Sequence, residues 1–257
     1  MKNQIREKFR CGQKTIGTFF ELGTTAVMQC LALGGFDYVI IDHEHGPFDP
    51  GMSADFVRAA KLHGTVPFAR VQSFDRPDIL KLLDIGAMGL IVPAVKTVEE
   101  VKRIVQYGKY RPIGERGLAG ASGSDFWMTE CREMGLANYL QHVNEEIMLI
   151  PQCETLECLD ALEEIVSVPG VDGIFVGPMD LSSAMGIPGQ LDNARFREAL
   201  KHIQRVCSEK GKFTMLFAGS VEAARDGLAL GYDSITYGMD AMTLTAACRD
   251  IVRSIKT

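Results

Sequence analysis

The sequence predicts a closed, parallel (β/α)8 barrel, on three observations. Short apolar runs alternate with amphipathic stretches from one end of the chain to the other. Eight such β-then-α units can be traced, which favours closure over a doubly wound sheet. The length of 257 residues is typical of one such barrel, and no shift in composition marks a linker, so residues 1–257 read as a single domain.

The elements follow in order. Ile16 to Glu21 reads as the first strand and Thr24 to Leu33 as its helix. The second strand, Tyr38 to Asp42, precedes a helix from Met52 to His63. The third, Val66 to Val71, precedes a helix from Pro77 to Asp84, with proline in the first turn where a missing N–H costs nothing. The fourth, Gly89 to Val95, leads to a helix opened by Thr97, with Glu100 three residues on as a capping box. The rhythm then breaks over a glycine-rich stretch from Gly108 to Asp125, and a loop of that length inside a compact domain is usually functional or mobile. A helix from Asp125 to Val143 follows, then strands at Ile147 to Cys153, Gly173 to Val176, Phe213 to Phe217 and Asp233 to Tyr237. Their helices span Leu156 to Val166, the stretch ending near Lys210, the stretch from Ser220 to Leu230, and Asp240 to Ser254.

Composition excludes several classes. The net charge of -6 argues against nucleic acid or an anionic membrane as the main partner. The amino-terminal segment is too polar for a signal peptide, and the longest apolar runs, such as Ala87 to Val95, are too short to span a bilayer. Seven cysteines without a CxxC pair read as reduced thiols of a cytoplasmic protein.

In a barrel the residues at strand carboxyl ends converge on one mouth. Here they are Glu21, Asp42 with His45, Arg70, Lys96, Gln152 with Glu154, Asp180, Phe217, and Tyr237 or Asp240. Glu154 and Asp180 each follow an apolar strand and suit Mg2+ or Mn2+; both also precede helical stretches, where acids serve as caps. Arg70 suits a carboxylate or enolate oxygen, or a structural ion pair across the mouth. His43 and His45 form an HxH, but no further histidine or cysteine stands at zinc spacing, and Asp42 near His45 suggests a carboxylate orienting an imidazole base. Lys96 suits a Schiff base if buried, or a surface position at the start of its helix. GERGLAGASG is neither a P-loop nor a dinucleotide fingerprint.

The blocks FDYVIIDHEHGPFD, PFARV, GAMGLIVPAVKTVEE, YRPIGERG, PQCET and DGIFVGPMDLSSAMG, in that order, carry a resemblance over nearly the whole chain. The chain resembles the metal-dependent pyruvate aldolases of the 4-hydroxy-2-oxoheptanedioate aldolase family, with which the 2-dehydro-3-deoxyglucarate and 2-keto-3-deoxy-L-rhamnonate aldolases are grouped. The resemblance implies a (β/α)8 barrel and a homo-oligomer, a hexamer built as a trimer of dimers that exchange their last helices. It implies Glu154 and Asp180 as ligands of a divalent cation, Mg2+ or Mn2+ with Co2+ as a further candidate. It implies His45 as base, Asp42 as the carboxylate partner of His45, and Arg70 as the arginine that holds the 2-oxo acid. Gln152 matches a glutamine near bound pyruvate, the backbone around Gly177 and Met179 lies against the substrate, and Asp84 matches an acid that reaches a neighbouring subunit's site.

The implied reaction cleaves a 4-hydroxy-2-oxo acid to pyruvate and an aldehyde through a metal-stabilised enolate. Met179, His43 and Lys96 depart from the family pattern and bear on the substrate more than on the reaction type. The aldehyde is expected to be read by loop residues 114–126, by Phe217 and by a neighbouring subunit. One alternative is a citrate-lyase-like or oxaloacetate/acyl-CoA condensing enzyme, for which Lys109, Arg111 and Arg116 would supply a basic rim. A Schiff-base aldolase on Lys96 and a non-catalytic ligand-binding barrel are the others.

Overall fold

Each expected apolar run becomes a strand because its side chains are buried on both faces, one against the barrel interior and one against the helices. The computed structural model describes residues 2–256. The strands are β1 (Thr15–Phe20), β2 (Tyr38–Asp42), β3 (Val66–Arg70), β4 (Gly89–Val92), β5 (Met148–Cys153), β6 (Gly173–Val176), β7 (Phe213–Ala218) and β8 (Ser234–Met239). They pair in chain order, all parallel, and β1 closes on β8. The expected (β/α)8 barrel is the fold.

Side chains on a strand alternate between faces, and this sets the site. Tyr38 and Ile40 point into the barrel, where they pack with Phe19, Phe68, Ile150 and Phe175. Val39 and Ile41 point out against Phe20, Met28, Phe56 and Val57. Period two therefore turns Asp42 inward at the end of β2. The same count from Phe68 turns Arg70 inward, and Asp42 and Arg70 are register partners on adjacent strands. From Ile150 it turns Gln152 inward.

Gly17 shows how tightly the interior is filled. A Cβ there would lie 2.2 Å from the Tyr38 ring. Tyr38 is fully buried, and its hydroxyl lies 2.8 Å from Thr236 Oγ1 and accepts from Ser234 Oγ at 2.9 Å. The Gly17→Ala variant is expected to lose about 1–3 kcal/mol by overpacking. A thermal melt reads it; an unchanged Tm would mean the ring does not press on β1.

The foot of the barrel holds a feature the polar amino terminus does not advertise. Helix Gln4–Arg10 is capped by the Asn3 side chain, which also donates to the carbonyls of Met88 and Glu146 at 3.0 and 2.9 Å. Ile5 is fully buried in the interior cluster, and Phe9 sets its edge on Phe213 with centroids 5.3 Å apart. The helix seals the barrel at the amino ends of the strands.

The glycine-rich stretch also lies at the foot. Helix Val98–Gly108 starts on the expected Thr97–Glu100 capping box. Beyond it the chain turns under the barrel, and Gly123 packs on Gly86, just before β4 (a Cβ on Gly123 would lie 2.5 Å from Gly86 Cα). The single helix expected from Asp125 to Val143 is instead helices Glu130–Met134 and Leu136–Glu146, separated at Gly135 with φ 78. Asp125, Phe126 and Trp127 hold left-handed φ of 47, 54 and 62, which no helix accommodates. Residues 114–126 therefore do not line the mouth of their own barrel. Lys109 is 1% exposed and donates to the carbonyls of Asn144 and Ile147, both just ahead of β5. Arg116 is buried as well, so the basic rim expected from Lys109, Arg111 and Arg116 is not formed.

Candidate active site

The carboxyl ends of β2, β3, β5 and β6 build the site. Asp42 is fully buried and takes Arg70 Nε on Oδ1 at 2.9 Å and Nη2 on Oδ2 at 2.5 Å, a two-bond carboxylate–guanidinium fork. The Arg70 face rests on Phe19, with Cζ 4.6 Å from the ring centroid. Its remaining terminal nitrogen, Nη1, turns toward the mouth and meets Glu44 Oε2 at 3.0 Å.

The relation expected between Asp42 and His45 is different in the structure. Asp42 Oδ1 accepts from the backbone N–H of Glu44 at 3.0 Å and of His45 at 3.4 Å, not from the imidazole. Both its oxygens are occupied by Arg70, the stronger, charged donor. The His45 ring stands at the mouth with 69% of its side chain exposed, and its Nε2 lies 3.9 Å from Glu44 Oε2. Asp42 thus orders the turn that carries His45, and Glu44 is the carboxylate beside the ring.

Glu154 sits across the mouth. Its Oε1 accepts from the Ala94 N–H at 2.6 Å, and its Oε2 accepts from Gln152 Nε2. Ala94 holds φ 54, a left-handed conformation costly for a residue with a Cβ, and this turn aims its N–H at the carboxylate. Burial raises the Glu154 carboxyl above the usual range against the Ala94 hydrogen bond, and the negative charge of Asp180 adds to the rise. Gln152 Oε1 is buried without a hydrogen-bond partner. Gly177 lies against both groups: a Cβ there would be 2.8 Å from Gln152 Nε2 and 3.0 Å from Glu154 Oε2. Pro178 then opens the short helix Pro178–Ala184, whose first turn presents Asp180 to solvent, and the Met179 side chain is 55% exposed beside it.

Among the described residues no set of three or more His, Cys, Asp or Glu is arranged to hold a metal. The chemistry of the two-carboxylate set fits a hard divalent cation. Glu154 and Asp180 repel each other, the unpaired Gln152 carbonyl oxygen is adjacent, and the glycine leaves the approach open.

His43 is not part of a metal pair with His45. Its ring turns away from the mouth, with Nε2 2.9 Å from Ser53 Oγ on the next helix, and the residue is buried. Burial lowers its pKa below the ordinary value of about 6.5, against the pull of Asp42, Asp49 and Asp78. The unfolded chain therefore binds a proton before the native protein does. Stability is retained above pH about 6.5 and falls as the pH drops from there toward the native pKa. His43→Gln is expected to lose less Tm than the parent between pH 7 and pH 5; equal losses in parallel melts would exonerate His43.

Other candidates leave the mouth. Asp84 ends helix Arg76–Asp84 at the opposite rim and accepts from Arg116 at 2.8 Å, so it takes no part in the site of its own chain. Lys96 is half-exposed and 3.6 Å from Glu157, a surface ion pair and not the buried position that a Schiff-base lysine needs. Asp240 accepts the N–H groups of Glu21 and Leu22, each at 3.0 Å, and ties β1 to the last helix. Two contributors were not legible beforehand. Ala94 acts through its backbone, which residue type does not report. Glu44 lies two residues beyond Asp42, the one available signal that both acids reach Arg70.

Comparison with known proteins places the chain in a family. The family described as HpcH/HpaI aldolase/citrate lyase matches residues 15–247. A hydroxypyruvate/pyruvate aldolase of Sagittula stellata is 36% identical over 77% of this chain and 76% of its own length. A 2-keto-3-deoxy-L-rhamnonate aldolase of Escherichia coli is 31% identical over 96% of this chain and 91% of its own. The crystal structure of an HpcH/HpaI aldolase from Desulfitobacterium hafniense superposes with a TM-score of 0.90 at 30% identity, covering 98% of this chain and 96% of that one. With the match running through every strand of the barrel, the chain belongs to the HpcH/HpaI aldolase/citrate lyase family and is a carbon–carbon lyase of the aldolase type.

Proposed function

We propose that the protein cleaves a 4-hydroxy-2-oxo acid to pyruvate and an aldehyde in the manner of a class II aldolase, with His45, Arg70 and the Glu154–Asp180 pair as its working groups. The observation that carries this reading is the placement of Arg70. Its guanidinium is locked by Asp42 and directs Nη1 into a mouth whose far side holds two mutually repelling carboxylates.

Glu154 and Asp180 would hold Mg2+, Mn2+ or Co2+. When bound, such a cation supplies Lewis-acid polarisation of the 2-oxo acid. Arg70 binds the anionic oxygens of the substrate and faces the charge that grows on the ketone oxygen as the C3–C4 bond breaks. His45, exposed at the rim, takes the proton of the C4 hydroxyl, and the aldehyde departs. The enolate is then protonated at C3 to give pyruvate. Gln152 and the Gly177–Met179 backbone line the floor beneath the three-carbon unit, and Met179 bears on which aldehyde fits.

Two further readings concern assembly and location. The last helix, Asp240–Lys256, leaves Met242, Leu244, Ile251, Val252 and Ile255 exposed, which supports its exchange between subunits of a homo-oligomer, the hexamer of paired dimers. In such a pair Asp84 would act toward the neighbouring barrel. No helix among the described residues is long and apolar enough to cross a membrane, and the seven unpaired cysteines support the cytoplasm.

The acyl-CoA reading is less favoured, since Lys109 and Arg116 are buried at the foot. A pyruvate-release screen over hydroxy-oxo acids, with and without EDTA, tests the assignment. Release abolished by chelation is expected; no pyruvate from any substrate would sink it.

A further inference from the structure

Asp42 takes two hydrogen bonds from Arg70 and leaves Nη1 facing the mouth. Asp42 accepts from Nε and Nη2 at 2.9 and 2.5 Å, Phe19 covers one face, and Glu44 Oε2 forms an ion pair with Nη1 at 3.0 Å. The Asp42 edge is sealed, because Asp42 is fully buried. The Glu44 edge is not: the Glu44 side chain is 25% exposed. An anionic oxygen entering from the mouth meets the guanidinium at Nη1, beside Glu44, which competes for it. The same Glu44 oxygen lies 3.9 Å from His45 Nε2. One carboxylate therefore stands between the group that receives the substrate's charge and the group that removes its proton. Burial raises the Glu44 carboxyl despite Arg70 and His45 beside it, so its ion pair is held at a cost and is open to exchange.

We propose that Glu44 is a positioning residue that occupies the open edge of Arg70 in the free enzyme, yields it to the anionic oxygen of an incoming 2-oxo acid, and turns to back the His45 imidazole. The inference rests on the pyruvate-aldolase reading above. The movement is small: from 3.9 Å to a hydrogen bond of about 2.8 Å is roughly 1 Å at the end of a flexible side chain. The consequence is that filling Arg70 and aligning the base become one event. A carboxylate beside the ring then stabilises the imidazolium formed when His45 takes the proton.

The test is Glu44→Gln in Mn2+-supplemented protein, because glutamine keeps the shape and Asp42 still locks Arg70. Oxalate, a dianionic mimic of the enolate, should bind about fivefold tighter by calorimetry, since the competing anion at a partly exposed edge is gone. KM should fall with it, while kcat drops about tenfold because the base loses its orienting partner. Glu44→Asp keeps the charge but is one methylene shorter and does not span both groups; it should lose kcat without gaining oxalate affinity. A purely structural ion pair predicts the reverse, weaker oxalate binding and a higher KM in Glu44→Gln, and that result overturns the proposal, as does an unchanged kcat. If the parent releases no pyruvate from any hydroxy-oxo acid, the aldolase reading fails by itself, while the oxalate titrations still decide whether Glu44 competes for Arg70.

Discussion

The Arg70→Ala variant is expected to lose about 10²–10³-fold in kcat, the scale of removing a donor aimed at charge that develops in the transition state. It is also expected to lose stability, and the two effects need separating. Asp42 is fully buried and spends both oxygens on Arg70. Removing the guanidinium leaves that carboxylate unpaired in the barrel, a cost of about 3–5 kcal/mol. Arg70→Lys keeps a cation but not the two-bond fork, and it should fold better than the alanine variant while remaining slow. Combining Arg70→Ala with Asp42→Asn removes the stranded charge and should recover much of the Tm and none of the activity. Melts and steady-state rates on the three variants separate packing from chemistry. A folded Arg70→Ala enzyme with near-normal kcat would remove Arg70 from the reaction.

The barrel was legible because its strands carry a signal that survives without tertiary information. Apolar runs such as those at β2 and β5 are too short for helices and are bounded by turn residues, and eight of them in one chain leave few architectures. The inward set Asp42, Arg70 and Gln152 was legible for the same reason, since period two extends each strand by one step into the mouth. What was not legible depends on which end of the barrel a loop visits. The stretch from Gly108 to Asp125 has the composition of an active-site loop, yet Gly123 docks on Gly86 and Lys109 is buried under β5, so it serves the foot. Helix Gln4–Arg10 escaped notice because only Ile5 and Phe9 face the interior, and two apolar residues four apart are a weak period. The pairing inside DHEH was misread because sequence proximity of Asp42 and His45 says nothing of the register that sets Asp42 beside Arg70.

Register and burial also decide what Glu154 is for. A glutamine at 154 keeps the volume and an oxygen for the Ala94 N–H, and its amide N–H can face Gln152 once that side chain flips to present Oε1, the buried oxygen that has no hydrogen-bond partner. The change removes a charge that burial penalises and that Asp180 opposes. Glu154→Gln is therefore expected to hold or raise Tm in EDTA, because the hydrogen bond between the two side chains is exchanged rather than lost while the buried charge is removed. Activity should fall by about 10³-fold or more, as the loss of a charged ligand implies. Added Mn2+ should raise the Tm of the parent in proportion to the logarithm of its concentration and leave the variant nearly unmoved, because only a protein that binds the ion when folded is stabilised by it. A residue kept for packing behaves oppositely, costing stability when changed and leaving turnover intact. A strained left-handed Ala94, a glycine pressed on the carboxylate and an unsatisfied amide are tolerated here only if something other than folding selects them. A glutamine variant that melts lower and turns over normally would show that Glu154 belongs to the scaffold.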